Sequence, residues 1–256
     1  MVRADPATLD ATWNPAERYL LMARIGAEDP AAVLDTLLSR WSNTVRARAG
    51  EVASAAVLTW PSRDVEMTPT FLAHGLAPRL VLAIRLAGRD SPDGATGVVV
   101  RRATEADLGT VVGFELDLVR WNQTLGQMTE RPNTAELIRA KHTADSRPWS
   151  WLAEVDGTPV GMLNVLDPDH ATWASGLTSA GRAVYLSDLV VVPGRRGAGA
   201  GTALVQQVHR ELDRAGFDAV VLHHLGVNPL AGPFWHRCGY RPLLTNWEVR
   251  PASDLR

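Results

Sequence analysis

The chemistry of this 256-residue chain is concentrated in one stretch, residues 186–201, LSDLVVVPGRRGAGAG. An apolar run (Leu189, Val190, Val191, Val192) stops at Pro193, Arg196 follows, and glycines stand at 197, 199 and 201. An amphipathic segment, TALVQQVHRELDRAG, begins at Thr202. The order predicts a strand, a glycine-rich turn and a helix N-terminus. Glycines let the backbone approach a ligand closely, and the N–H groups of a helix start attract anions, so the ligand implied is a phosphate. Two phosphate loops are excluded. A Walker loop needs Lys-Ser/Thr after its last glycine, and Gly199 is followed by Ala200 and Gly201. A dinucleotide fingerprint needs G-x-G-x-x-G, and here the third glycine comes one residue early. What remains is R-x-x-G-x-G, as Arg196, Gly199 and Gly201. A plain strand–helix turn in a chain rich in Arg, Ala and Gly would use the same residue types, so the segments downstream decide between the two.

Those segments favour the ligand site. Leu204, Val208, Leu212 and Ala215 fall on one helical face, and Gly216 is a C-terminal stop. DAVVLHH reads as a strand, and NPLAGPFWHRCGY follows it from Asn228 to Tyr240. The frame D-L-x-V-x-P-x-x-R-G-x-G-x-G (Asp188 to Gly201), together with Asn228, Ala231, Phe234, Gly239 and Tyr240, resembles the GCN5-related N-acetyltransferase (GNAT) superfamily over residues 97–256.

The resemblance implies an α/β (α+β) fold with a mixed, mostly antiparallel sheet flanked by helices, and acetyl-CoA as co-substrate. It implies that backbone groups of Leu189, Val190 and Val191 pair with the pantetheine arm between two splayed strands. The N–H groups of Gly197, Ala198, Gly199, Ala200, Gly201 and Thr202 would take the pyrophosphate, and Arg196 would add charge, since a guanidinium suits phosphate oxygens. Arg196 as a solvated surface arginine is the competing reading. Asn228 matches the family's asparagine near the pantetheine, and Asn-Pro is also a common helix start.

Acetyl transfer to an amine needs a neutral nucleophile, a donor for the thioester oxygen and a proton for the leaving thiolate. His223 stands on the expected strand five residues before Asn228, where many relatives carry a catalytic glutamate, and its imidazole titrates near neutral pH. His224 would point to the opposite face. Where the family often has an acidic tyrosine beside the CoA sulfur, this chain has Trp235, a donor that hardly releases its proton. Tyr185, read as sharing a strand face with Leu189 and Val191, is the substitute acid. Trp149, Trp151 and Trp173 are expected either to line an acceptor pocket or to pack in the core. His170 and Asp169 are acceptor contacts at most, and the spacing gives no metal site. Cys238 reads as a small buried hydrophobe.

Bulk properties fit this reading. A net charge of −2 argues against nucleic acid or an anionic membrane as the main partner. There is no 18-residue apolar run and no apolar signal region, and a single cysteine excludes an internal disulfide or a Cys-based zinc site. The expectation is a cytoplasmic protein whose partner is a small-molecule or peptide amine, with a homodimer left open.

Residues 86–97, LAGRDSPDGATG, read as a linker dividing a lobe at 1–90 from a domain at 97–256. The domain predicts a first strand at VVVRRA, a helix opening at Thr104 with Asp107 as capping-box partner, a second helix over 134–143, and paired strands turning at Asp156-Gly157. In the lobe, FLAHGLAPRLVLAIR from Phe71 aligns without gaps to WHRCGYRPLLTNWEV from Trp235, placing Gly75 on Gly239 and Pro78 on Pro242. A helix-like run ending at Gly50 and a strand at AAVLTW complete a degenerate half of the same fold. Its glycine loop is replaced by RIGAEDPA, where Glu28 and Asp29 would repel a pyrophosphate. Two functions remain: an acetyl-CoA-dependent N-acetyltransferase acting by direct attack in a ternary complex, or a CoA-binding regulatory or scaffold protein without turnover. Transfer of longer acyl chains is a variant of the first.

Overall fold

Alternating hydrophobic strands and amphipathic helices fold into two units. The computed structural model describes residues 1–26, 28–50, 53–89 and 97–256, so positions 90–96 of the expected linker lie outside the described residues. The elements are β1 (Val2–Arg3), α1 (Asp10–Trp13), β2 (Glu17–Leu21), α2 (Pro30–Arg46), β3 (Ser54–Pro61), α3 (Thr68–Ala73) and β4 (Ala77–Leu86). They continue with β5 (Val99–Arg102), α4 (Leu108–Thr124), α5 (Thr134–Thr143), β6 (Trp149–Val155), β7 (Thr158–Val165) and β8 (Ala183–Val191). Last come α6 (Ala200–Arg214), β9 (Ala219–Leu225), α7 (Ala231–Arg237) and β10 (Arg241–Val249). One unit comprises 1–82, 224–228 and 242–256, and the other 83–223 and 229–241.

In the second unit the strand order is β9-β8-β7-β6-β5. The pairs β5–β6, β6–β7 and β7–β8 are antiparallel, and β8–β9 is parallel. Period-two alternation feeds two cores. Trp151 and Leu163 turn to the side covered by α6, where Leu204, Val208 and Leu212 are buried. Leu152 and Met162 turn to the side covered by α4, against Val111 and Phe114. Ala215, grouped by periodicity with the buried face of α6, is exposed because it caps the helix before Gly216. The capping box at Thr104 and Asp107 is formed, and Arg101 holds the Asp107 carboxyl well below the usual range through paired hydrogen bonds at 2.8 Å.

The first unit has the order β1-β2-β3-β10-β4, with β2 and β3 parallel. β10 runs antiparallel to β3, from Leu244↔Pro61 to Val249↔Ala56, so a strand late in the chain completes this sheet. Leu34, Leu38, Leu58, Phe71, Leu76 and Trp247 fill the core. The gapless match seen in the sequence has a structural counterpart. After α3, the Leu76 N–H donates to the Phe71 carbonyl at 3.0 Å, and after α7 the Tyr240 N–H donates to Trp235 at 3.0 Å. Gly75 and Gly239 occupy the same left-handed conformation, φ +80° and +89°. Each corner is a helix stop closed by a left-handed glycine, which a side chain at either position would strain.

Within the second unit, His209 on α6 is 1% exposed, with Nε2 2.9 Å from the Tyr240 hydroxyl. Burial, reinforced by the Arg85 charge, pushes its pKa from 6.5 down to about 3. Between these two values the unfolded chain binds a proton that the native chain refuses, so stability falls as pH drops through the window. In urea unfolding, His209→Gln, which cannot titrate, should lose less stability than the wild type between pH 6.5 and 4. Parallel losses would contradict the assignment.

Candidate active site

The loop after β8 is built to expose backbone donors. A 3₁₀ turn at Pro193–Arg195 ends the strand, with the Arg195 N–H on the Val192 carbonyl at 2.9 Å. Gly197 (φ +79°) and Gly199 (φ +86°) are left-handed, and Gly199 is the N-cap of α6. An L-residue there would be strained by roughly 1–2 kcal/mol. The first bond of the helix runs from the Ala203 N–H to the Gly199 carbonyl, 2.9 Å, so the N–H groups of Ala200, Gly201 and Thr202 have no acceptor within the helix. A side chain on Gly201 would meet the Phe234 ring at 3.5 Å and Val191 at 3.6 Å. Arg196 is held rather than waving in solvent. Its Nε donates to the Val191 carbonyl at 3.1 Å, and its guanidinium lies 4.6 Å from the Trp121 ring centre on α4. Helix dipole, left-handed glycines and a fixed guanidinium fit a pyrophosphate.

The strands beside the loop part company. β8 and β9 pair over Ala183↔Ala219, Val184↔Val220 and Tyr185↔Val221, and among the described residues the ladder ends there. β8 runs on to Val191 and β9 through His223. At this divergence the Tyr185 hydroxyl lies 2.9 Å from His223 Nδ1. Trp173, 48% exposed on the turn Thr172–Leu177, packs against Tyr185 with the ring centres 4.9 Å apart and the planes tilted by 50°. Burial pushes the Tyr185 phenol above its usual range, and Asp188 adds to the effect.

The strand-face expectation for Tyr185 needs correction. Against β7, Asn164 pairs with Asp188 but Val165 pairs with Leu186, leaving Ser187 as an extra residue. The bulge reverses the alternation. Leu186, Leu189 and Val191 therefore all pack toward the α6 core, and Tyr185 faces the other way, toward His223.

Sequence reasoning missed the charges on this face. Asp188 (4% exposed) accepts hydrogen bonds at one oxygen from Ser187 (2.7 Å), Asn164 (3.1 Å) and Lys141 (3.4 Å). Lys141, on α5, also donates to Glu115 of α4 at 2.6 Å, and Glu115 meets His142 at 2.7 Å. Burial works against both charges, but the partners outweigh it: Lys141 is held above, and Asp188 below, the usual range. The one signal in the sequence is that Lys141 is the sole lysine.

The surroundings of the other expected residues are as follows. Trp235 is 7% exposed, packed edge-on against Phe234 and Tyr240 in the α6 core. Asn228 belongs to the segment grouped with the first unit, and its N–H bonds the Leu225 carbonyl at 3.2 Å. Trp151 is buried beneath the Arg102 guanidinium at 3.7 Å and donates to Glu211, and Trp149 stacks edge-on near Phe217, so of the three tryptophans Trp173 alone stands at the dyad. His170 pairs with Asp167 at 3.2 Å. Cys238 is buried, its thiol pushed up to about 12 by burial. Among the described residues no group of three His, Cys, Asp or Glu side chains is placed to hold a metal, and no helix is long and apolar enough to cross a membrane. Asp29 caps α2, accepting the Ala32 N–H at 3.0 Å, so a carboxylate already occupies that helix N-terminus.

Comparison with known proteins agrees with this geometry. Residues 117–240 match the acetyltransferase (GNAT) family model, so the chain carries a GNAT acetyltransferase domain. A GCN5-related N-acetyltransferase from Sphaerobacter thermophilus shares the fold, with 17% identity over 89% of this chain and 71% of that one and a TM-score of 0.53. A tandem GNAT protein from the clavulanic acid biosynthesis pathway (14% identity, 84% and 69% covered, TM-score 0.49) is also similar. So is an aminoglycoside N-acetyltransferase solved with CoA (19% identity, 62% and 93% covered, TM-score 0.45). No protein of curated function matches by sequence.

Trp235 supplies a direct check on the site. Because its indole packs in the core, Trp235→Tyr should lower stability by about 1–3 kcal/mol and leave CoA affinity unchanged. Calorimetry and thermal unfolding on one sample test this. A loss of CoA affinity at unaltered stability would place the indole at the ligand.

Proposed function

We propose that the protein is an acetyl-CoA-dependent N-acetyltransferase that acylates a primary amine of a small molecule or peptide by direct attack in a ternary complex. The observation that carries this reading is the coincidence of the glycine loop, the divergence of β8 and β9, and the Tyr185–His223 hydrogen bond at 2.9 Å in that divergence. The loop amides from Gly197 to Thr202 and Arg196 hold the pyrophosphate, and the backbone of Leu189, Val190 and Val191 borders the pantetheine arm. Acetyl-CoA supplies a thioester activated for attack.

The dyad offers a complete proton path. With His223 protonated at Nδ1 and donating to the Tyr185 oxygen, Nε2 is left to accept the proton of the attacking amine. As the new C–N bond forms and the C–S bond breaks, Nδ1–H passes to the Tyr185 oxygen and the phenolic proton passes to the thiolate. The amine has lost one proton and the thiol has gained it. The raised pKa of Tyr185 keeps the phenol protonated until that moment. This arrangement makes the absent tyrosine at position 235 unnecessary. The first unit reads as a degenerate copy of the same half-fold, with Asp29 in place of a phosphate loop.

Two substitutions test the assignment. Gly199→Val should abolish CoA binding in titration calorimetry of the intact protein, and full stoichiometric binding would refute the loop. His223→Ala should lower turnover about 10²- to 10⁴-fold with CoA affinity retained, and should remove the ascending limb of the pH profile between about pH 6 and 8. Unchanged turnover with an active amine would exclude His223 from the chemistry.

A further inference from the structure

We propose that Asp188 and Lys141 form a positioning pair that sets the Tyr185–His223 dyad through the bulge at Ser187, a role that rests on the transferase reading above. The bulge is what turns Tyr185 away from the α6 core, and three contacts converge on it at a single atom. Asp188 Oδ2 accepts from the bulged residue itself, from Asn164 on β7 and from Lys141 on α5. Asn164 is fully buried, and its amide oxygen has no hydrogen-bond partner while its nitrogen is committed to Asp188. Such an orphaned acceptor costs about 1–3 kcal/mol, so the carboxylate dictates the amide's orientation. Desolvating two carboxylates and an ammonium is costly as well, and a core of apolar residues would be at least as stable. The cluster is therefore better explained by the geometry it fixes. A lysine suits the position because a compact ammonium bridges Glu115 and Asp188, which a planar guanidinium would fork past.

The pair also sets the local field. The titratable groups linked to the dyad are Tyr185, which meets His223, Asp188 three residues on along β8, Lys141 of α5, which meets Asp188 and Glu115 of α4, and His142, which meets Glu115; His224 is the next residue along β9. A carboxylate near an imidazole favours its charged form, and an ammonium disfavours it. Removing Lys141 should therefore raise the titration midpoint of His223, and removing the Asp188 charge should lower it. A purely structural role would not move the two in opposite directions.

The experiment is an NMR titration of the His223 imidazole in the intact protein, with CoA affinity and amine turnover measured on the same samples. Lys141→Met should shift the midpoint up and Asp188→Asn down, each by about half a unit, with CoA affinity held within about twofold and turnover lowered at least about tenfold. Midpoints that stay fixed, or move together, in folded variants overturn the proposal. If either variant does not fold, Ser187→Ala removes only the hydroxyl at the bulge. It should lower turnover and shift the midpoint with CoA affinity intact, and no change in either overturns the proposal. If the wild type acetylates no amine while the midpoints shift as stated, the transferase reading fails and the pair stands. If the wild type is active and the midpoints are unmoved, the pair alone fails.

Discussion

Backbone N–H and C=O groups must be satisfied, and a parallel ladder that stops after three residue pairs leaves a row of them facing a gap. That interruption between β8 and β9 organises the second unit. It occurs in a sheet whose strands β5 to β8 pair in turn, with bulges, and the rest of β8 leads from it to the glycine loop. In the loop the N–H groups of Ala200, Gly201 and Thr202 have no acceptor within α6.

The rigid parts of the site come from the two cores. α6 is anchored by Leu204, Val208 and Leu212, each almost wholly buried, so its N-terminus is fixed against the sheet. Burial of such side chains contributes roughly 1.5–3 kcal/mol apiece, far more than any one loop hydrogen bond. On the other face, α4 and α5 bring Glu115, Lys141 and Trp121 to β8 and to Arg196. In the proposed function, α6 would position the phosphate site, and α4 and α5 would set the charges beside the reacting face.

Local features were legible in the sequence. The second helix at 134–143 forms at Thr134–Thr143, the capping box at Thr104 is made, and the left-handed glycines fall at the turns they were expected to close. These depend on neighbours within one turn of chain. The bulge at Ser187 was not legible, because it belongs to the pairing of two strands and not to either one, and the face assigned to Tyr185 was reversed for that reason. The Glu115–Lys141–Asp188 cluster joins residues 26 and 47 positions apart, with no periodicity to announce it. Trp235 sits in the recognised motif, but burial among Phe234 and Tyr240 decides what its indole touches. The pairing of β10 with β3 is equally a long-range result.

The most direct test of the central claim is a crystal structure of the protein with CoA bound. The account predicts one CoA per chain, with its pyrophosphate on the amides between Gly197 and Thr202, its arm beside Leu189–Val191, and its sulfur at the Tyr185–His223 dyad. CoA lying elsewhere, at the Asp29 end of α2 or with its sulfur remote from Tyr185, would contradict it.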